Sequence, residues 1–285
     1  MPQCFDQFVM VDWSAANKRN LGKDSIWVAV LEQGVMLDCF NLGTRQAAFD
    51  YLFDLSVKNL TEGKKTLIGF DFPFGYPAGT ADYFALKGDG RPWHRIWRFL
   101  EQDLKDSSSN RSNRFELASE LNRRGGADGG PFWGHPAGRQ YERLDMRKPA
   151  RSAVSETRLA DRLVPKAQPV WKLAYNGSVG SQALTGIPRV HRLRFHPALE
   201  SSAVVWPFER IDNKPIVLAE IYPSFWKMDF NATEIKDAQQ VKDVVSILDA
   251  AQRDGKLQEW LNSPLNRQRK ESKAIQEEEA WMLGL

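Results

Sequence analysis

Apolar residues enter this chain in short continuous blocks. FVMVDW (8–13), SIWVAVLE (25–32) and VMLDCFNL (35–42) each read as a strand, with a turn at Gly34 between the last two. From Thr44 the spacing changes. Ala47, Ala48, Tyr51, Leu52 and Leu55 recur at three- and four-residue steps, which predicts a helix of about four turns with Thr44 as its N-cap. LIGFDF (67–72) is a fourth strand, stopped by Pro73 and Gly75. Much later PIVLAEIYPS (215–224) restores a strand, and KDAQQVKDVVSILDAAQ (236–252) is an amphipathic helix with Val241, Val244, Val245 and Leu248 on one face. EEEAWMLGL closes the sequence, and no repeat of fixed period is present.

Between these blocks, residues 76–212 hold most of the prolines, the glycine cluster RRGGADGGPFWGHPAG and several tryptophans, with a few short helical patches such as 94–104 and 114–123. A stretch so long and so aromatic is expected to be a folded insertion over one end of a sheet, because structureless loops of that length are uncommon in compact domains. The expected organisation is a single α/β domain over 1–285, its core at 5–75 and 214–260 and its insertion at 76–212. Three consecutive strands followed by crossover helices require a mixed sheet with helices on its faces.

Composition narrows the class. A hydrophobic content of 42% and a charged content of 26% fit a globular protein, and no window of 18 uncharged apolar residues offers a membrane span. The N-terminal MPQCFDQFVMVD has no basic leader region, so a cytoplasmic, membrane-free protein is expected. Cys4 and Cys39 cannot build a disulfide framework, have no zinc-type partners, and are expected to be buried thiols. The net charge of +3 is uneven: between Arg139 and Arg194 twelve Lys or Arg face four acids. Such a segment suits either a polyanion or a solvated, salt-bridged surface.

Four acids interrupt apolar surroundings. Asp12 ends the first strand, Asp71 lies near the end of the fourth, Glu220 sits inside the fifth, and Asp237 begins the long late helix on the side of Val241. An ionised carboxylate in such a setting costs several kcal/mol unless a cation compensates it. If the four converge at one sheet end, divalent metal converts their repulsion into ligation, and hard oxygen donors suit Mg²⁺ or Mn²⁺. Each acid also has a structural role open to it: Asp12 as a cap for Ser14 to Asn17, Asp71 as a brace for the Pro-Phe-Gly turn, Glu220 as partner of an insertion arginine, Asp237 as a helix cap. Asp243 competes for the fourth place but stands away from the Val241/Leu248 face.

The order of VDWSAAN, GFDFPFG, AEIYPS and the late Asp-bearing helix resembles the ribonuclease H-like superfamily, in particular the predicted RNase H-like nucleases of the DUF429-like families. The similarity covers roughly 5–75 and 214–285, and extends to the insertion stretch NGSVGSQALTGIPRVHRLR. It implies a ribonuclease H-like mixed sheet of β-β-β-α-β-α-β-α order and a divalent-metal-dependent nuclease or phosphodiesterase. Asp12, Asp71 and Asp237 are its implied metal ligands, and Glu220 matches the recurring glutamate of those families. The helix motif departs from the family pattern, its Asp-Ala pair being blurred between Asp237-Ala238 and Asp243-Val244.

The basic insertion offers Lys172, Ser178, Arg189 and Arg192 as candidate contacts to nucleic acid or a nucleotide. NGSVGSQ (176–182) could cradle a phosphate on backbone N–H groups, or be only a turn, since it lacks the Lys-Ser/Thr ending of a P-loop. Insertion tryptophans could stack bases or fill a core. Two further readings keep the fold. One is an ATP-dependent phosphotransferase of the actin/sugar-kinase type, which usually needs a second such subdomain. The other is a non-catalytic accessory or binding protein, for example one serving cofactor biosynthesis.

Overall fold

The computed structural model describes residues 4–126 and 130–285. Strands β1 (Gln7–Asp12), β2 (Ile26–Glu32) and β3 (Val35–Leu42) form an antiparallel meander. Gln33 and Gly34 both take positive φ, 49° and 81°, in the two-residue turn whose twist suits a tight hairpin. Helix α1 (Arg45–Thr61) starts where Thr44 accepts a hydrogen bond from the N–H of Ala47. It delivers the chain to β4 (Thr66–Phe70), parallel to β1.

Short helix α2 (Thr80–Tyr83), α3 (Pro92–Asp103), α4 (Arg114–Arg124), α5 (Leu159–Leu163) and α6 (Gly180–Arg194) then precede β5 (Ala203–Val205) and β6 (Ile216–Ile221). Helices α7 (Lys236–Arg253), α8 (Lys256–Asn262) and α9 (Arg269–Ala274), a π turn at Ile275–Glu279 and β7 (Met282–Leu283) complete the described chain. Among the described residues the sheet has seven strands in the order β3-β2-β1-β4-β6-β5, with β7 pairing alongside β6. β5 and β7 lie outside the core boundaries expected from sequence, yet both are members of the sheet.

Alternation along the strands divides the interior into two cores. Val9, Val11, Val28, Val30, Ile68, Phe70 and Leu218 face α1, α3 and α6, and Phe8, Met10, Ala29, Leu67, Val217 and Ile221 face α7. The valine stripe Val241, Val244 and Val245 with Leu248 is fully buried against the second set. The insertion fills the first. Trp93, Trp97, Trp171 and Phe132 are buried there, so these tryptophans are packing residues, and Trp206 is likewise buried on the other side.

Helix α6 defeats the periodicity argument because Gly180, Gly186 and Pro188 all lie within it. Gly180 is required by close approach: a Cβ there would stand 2.3 Å from the carbonyl oxygen of Val170. NGSVGSQ is accordingly a turn leading into this helix, with the N–H of Ser178 donating to the carbonyl of Tyr175. The expectation of two buried thiols is corrected. Cys4 is exposed near the start of the described chain, and Cys39 is half-buried on edge strand β3. No described helix is long and apolar enough to cross a membrane.

Candidate active site

β1 and β4 run parallel side by side, so the residues at their carboxyl ends emerge together. Asp12 is the last residue of β1. Asp71 follows β4 directly, its own N–H donating to the carbonyl of Val11. Both side chains point to the α7 side of the sheet, since their neighbours Val11 and Phe70 point the other way. The two carboxyls lie close enough for each to act directly on the other's ionisation. The N–H of Trp13 donates to Asp71 Oδ1 at 2.7 Å, and Gln240 Nε2 on α7 donates to Asp12 Oδ2 at 3.3 Å.

Burial pushes the Asp71 carboxyl up to about 7, against the pull of its bonds from Trp13 and Asp12. Burial, then the charges of Asp71, Asp237 and Asp24, holds Asp12 well above the ordinary carboxylate range. Among the described residues no Lys or Arg forms an ion pair with Asp12, Asp71 or Asp237. Asp237 lies close enough for its charge to act on both partners, but its Oδ2 is held by the N–H of Asp24 at 2.8 Å. Asp243 instead neighbours Lys242 and Glu234.

Glu220 does not join these acids, which corrects the four-acid cluster expected from sequence. Its strand pairs in register with Phe70, so Asp71 is one position further along and the two carboxylates leave opposite faces of the sheet. Glu220 is buried, takes a two-pronged contact from Arg158 Nη1 and Nη2 at 2.7 Å each, and accepts the N–H of Phe74 at 2.8 Å. Arg158 also meets Asp161 at 2.8 Å. Burial pulls this guanidinium's pKa down, but the charges of Asp161 and Glu220 more than offset that and hold it well above its ordinary value. Glu220 is thus the acid whose partner is an insertion arginine. Among the described residues, no group of three or more His, Cys, Asp or Glu is arranged to hold a metal ion.

The proposed substrate contacts are scattered and mostly occupied. Lys172 is bound by Gln168 and the carbonyl of Asn176 and lies near the Trp133 ring. Ser178 is in the turn before α6. Arg189 is buried, bonded to Gln46 and paired with Asp106, and is removed from the list of accessible contacts. Arg192 pairs with Glu101 on the surface. With Arg158 and Arg194 also in ion pairs, much of the basic excess of the insertion is structural.

Sequence reasoning missed Gln240 and Gln182. Gln240 lies three residues after Asp237, one helical turn onward, a spacing that could have flagged it. Gln182 Nε2 donates to the carbonyl of Trp13 at 2.6 Å and Trp13 Nε1 to Thr185, so the start of α6 braces the residue that holds Asp71. The loop between β1 and β2 carries exposed Lys18, Arg19 and Lys23 beside this rim. No protein-family model, curated protein or solved structure matches the chain.

Proposed function

We propose that this protein is a divalent-cation-dependent hydrolase of phosphodiester bonds, built on a ribonuclease H-like version of the α/β fold. The observation that carries the reading is the Asp12–Asp71 pair: two neighbouring carboxyls at the ends of adjacent parallel strands, with no ion-pair cation among the described residues. The meander followed by parallel β4 and β6 supports the finer fold assignment.

Hard carboxylate oxygens at a partly exposed rim suit Mg²⁺ or Mn²⁺, with water completing the set that Asp12 and Asp71 alone leave open. Asp12 and Asp71 would hold the cation, with Asp237 supplying further negative charge from α7. The cation, when bound, supplies water activation and neutralises charge developing on a leaving oxygen. The chain's own residues prepare this. Trp13 fixes Asp71, Gln240 fixes Asp12, and the Asp71 carboxyl ionises at a pH of about 7. Lys18, Arg19 and Lys23 are placed to attract a phosphate backbone as point charges.

The test is cleavage of end-labelled single-stranded and duplex oligonucleotides with and without Mn²⁺, for the wild type, Asp12→Asn and Asp71→Asn. The reading requires Mn²⁺-dependent cleavage that drops at least about tenfold in each variant. Cleavage equal in all three proteins would sink it. A non-catalytic binding role is the second reading, favoured by the engagement of Asp237 with Asp24; thermal stabilisation by Mn²⁺ with no cleavage of any substrate would select it.

A further inference from the structure

Two cavities meet on the side of the molecule formed by the start of α3, the segment after β5, and α8 and α9. The larger holds about 950 Å³ and the smaller about 470 Å³, and both are lined by Arg91, Leu265 and Gln276. Neither contains Asp12, Asp71 or Asp237, so this groove is separate from the acid pair.

The charge around it is one-sided once existing ion pairs are removed. The lining cations are Arg91, Arg210, Arg267, Arg269 and Lys273, and the lining carboxylates are Glu209, Asp212 and Glu277. Each carboxylate is already engaged: Glu209 with Arg194 at 2.7 Å, Asp212 with Arg210 at 2.7 Å, and Glu277 with Lys273 at 3.9 Å. Arg91, Arg267 and Arg269 have no carboxylate partner among the described residues. Arg91 donates to the carbonyl of Phe208 at 2.7 Å, and the Arg267 guanidinium lies 4.8 Å from the centre of the Trp281 ring. Both contacts hold the guanidinium in place without neutralising it. Arg91 is moreover the N-cap of twelve-residue α3, so the positive end of the helix dipole adds to its charge.

The floor is preformed and apolar. Trp93 and Phe208 stack in parallel with centroids 4.7 Å apart, and Trp206 is anchored by its Nε1 bond to the carbonyl of Leu261 at 3.0 Å. A rigid floor with three uncompensated guanidiniums spread along two joined cavities matches an extended anion with several charged groups. Guanidinium recognises phosphate by paired N–H donors, and a chain of phosphates supplies one such acceptor group after another.

We propose that this groove binds a polyphosphate chain, either free or as part of a nucleoside polyphosphate, with Arg91 at the junction and Arg267 and Arg269 along the smaller cavity. The site is independent of the Asp12–Asp71 reading.

Isothermal titration of the full chain with sodium tripolyphosphate and with ATP, in EDTA and at low and high salt, tests this. Tripolyphosphate binds, and its affinity falls with salt and drops at least about tenfold in Arg269→Glu. Arg269 makes no ion pair among the described residues, so this variant keeps the fold; Arg91→Met is the second arm. Asp12→Asn binds as the wild type does. ATP binding equal to or tighter than tripolyphosphate is consistent with phosphate recognition. No binding of tripolyphosphate, binding undiminished in both arginine variants, or loss of binding in Asp12→Asn overturns the proposal.

Discussion

Replacing Asp71 by Asn separates the cost of the acid pair from its use. Asn keeps the shape and an oxygen for the Trp13 N–H, and its amide can donate to the neighbouring Asp12 carboxyl. Folding moves the Asp71 pKa from an ordinary 3.8 to about 7, so between those values the folded chain binds more protons than the unfolded chain. Stability therefore falls as pH rises through that window, and the full penalty stands above it. The difference corresponds to about 4 kcal/mol for a fully enclosed group, and solvent at this partly exposed rim reduces it to roughly 2–3 kcal/mol. Without divalent ions at pH 8, Asp71→Asn should thus be the more stable protein, by roughly 3–5 °C in Tm. At pH 4.5 the two should nearly coincide. His191, whose pKa burial lowers to about 4, tilts both curves the opposite way below pH 6.5, so the difference between wild type and variant is the quantity to read. Thermal unfolding in EDTA from pH 4.5 to 8.5, repeated with Mn²⁺, gives it. Mn²⁺ should raise the wild-type Tm at pH 8 and leave the variant unmoved. A wild type no less stable than the variant at pH 8 in EDTA would refute the argument that the pair is uncompensated.

Three further outcomes test the packing around the site. Arg158→Met leaves Glu220 and Asp161 buried without their cation and should cost about 3–5 kcal/mol in urea unfolding, most of it recovered by adding Glu220→Gln and Asp161→Asn; a loss below about 1 kcal/mol would contradict the ion-pair assignment. Gly186→Ala brings a Cβ to 2.3 Å from the Phe72 ring and should destabilise by about 1–3 kcal/mol despite alanine's better helix propensity, and an unchanged or raised Tm would show that this contact yields. Glu278→Ala removes the acceptor for the N–H groups of Gly79 and Ala81, and should cost about 1–3 kcal/mol and speed amide exchange at Gly79 and Ala81; unaltered exchange there would place their protection elsewhere.

The strands and helices that bracket the insertion were legible because their burial is one-sided and regular: the valine stripe of α7, the Thr44 cap and the Gly34 turn each carry a local physical cause. Helix α6 was not, since its glycines are dictated by close contacts with Val170 and Phe72, residues outside the helix. β5 was not either, because three residues give too little pattern to read.

The acids teach a sharper lesson about what spacing omits. Asp12, Asp71 and Glu220 look equivalent in sequence, each closing or interrupting an apolar run. Their difference depends on register, and register between β4 and β6 is fixed by a long connection that no local pattern records. A slip of one residue would carry Glu220 to the α7 face and away from Arg158. The observed register instead gives Glu220 a buried guanidinium and leaves Asp12 and Asp71, among the described residues, with neutral donors and no ion-pair cation. Compensation therefore sorts these carboxylates. An acid paired with an internal arginine has its place in the fold, whereas two neighbouring carboxyls without an ion-pair partner at a solvent-reachable rim retain free energy that a cation can recover on binding.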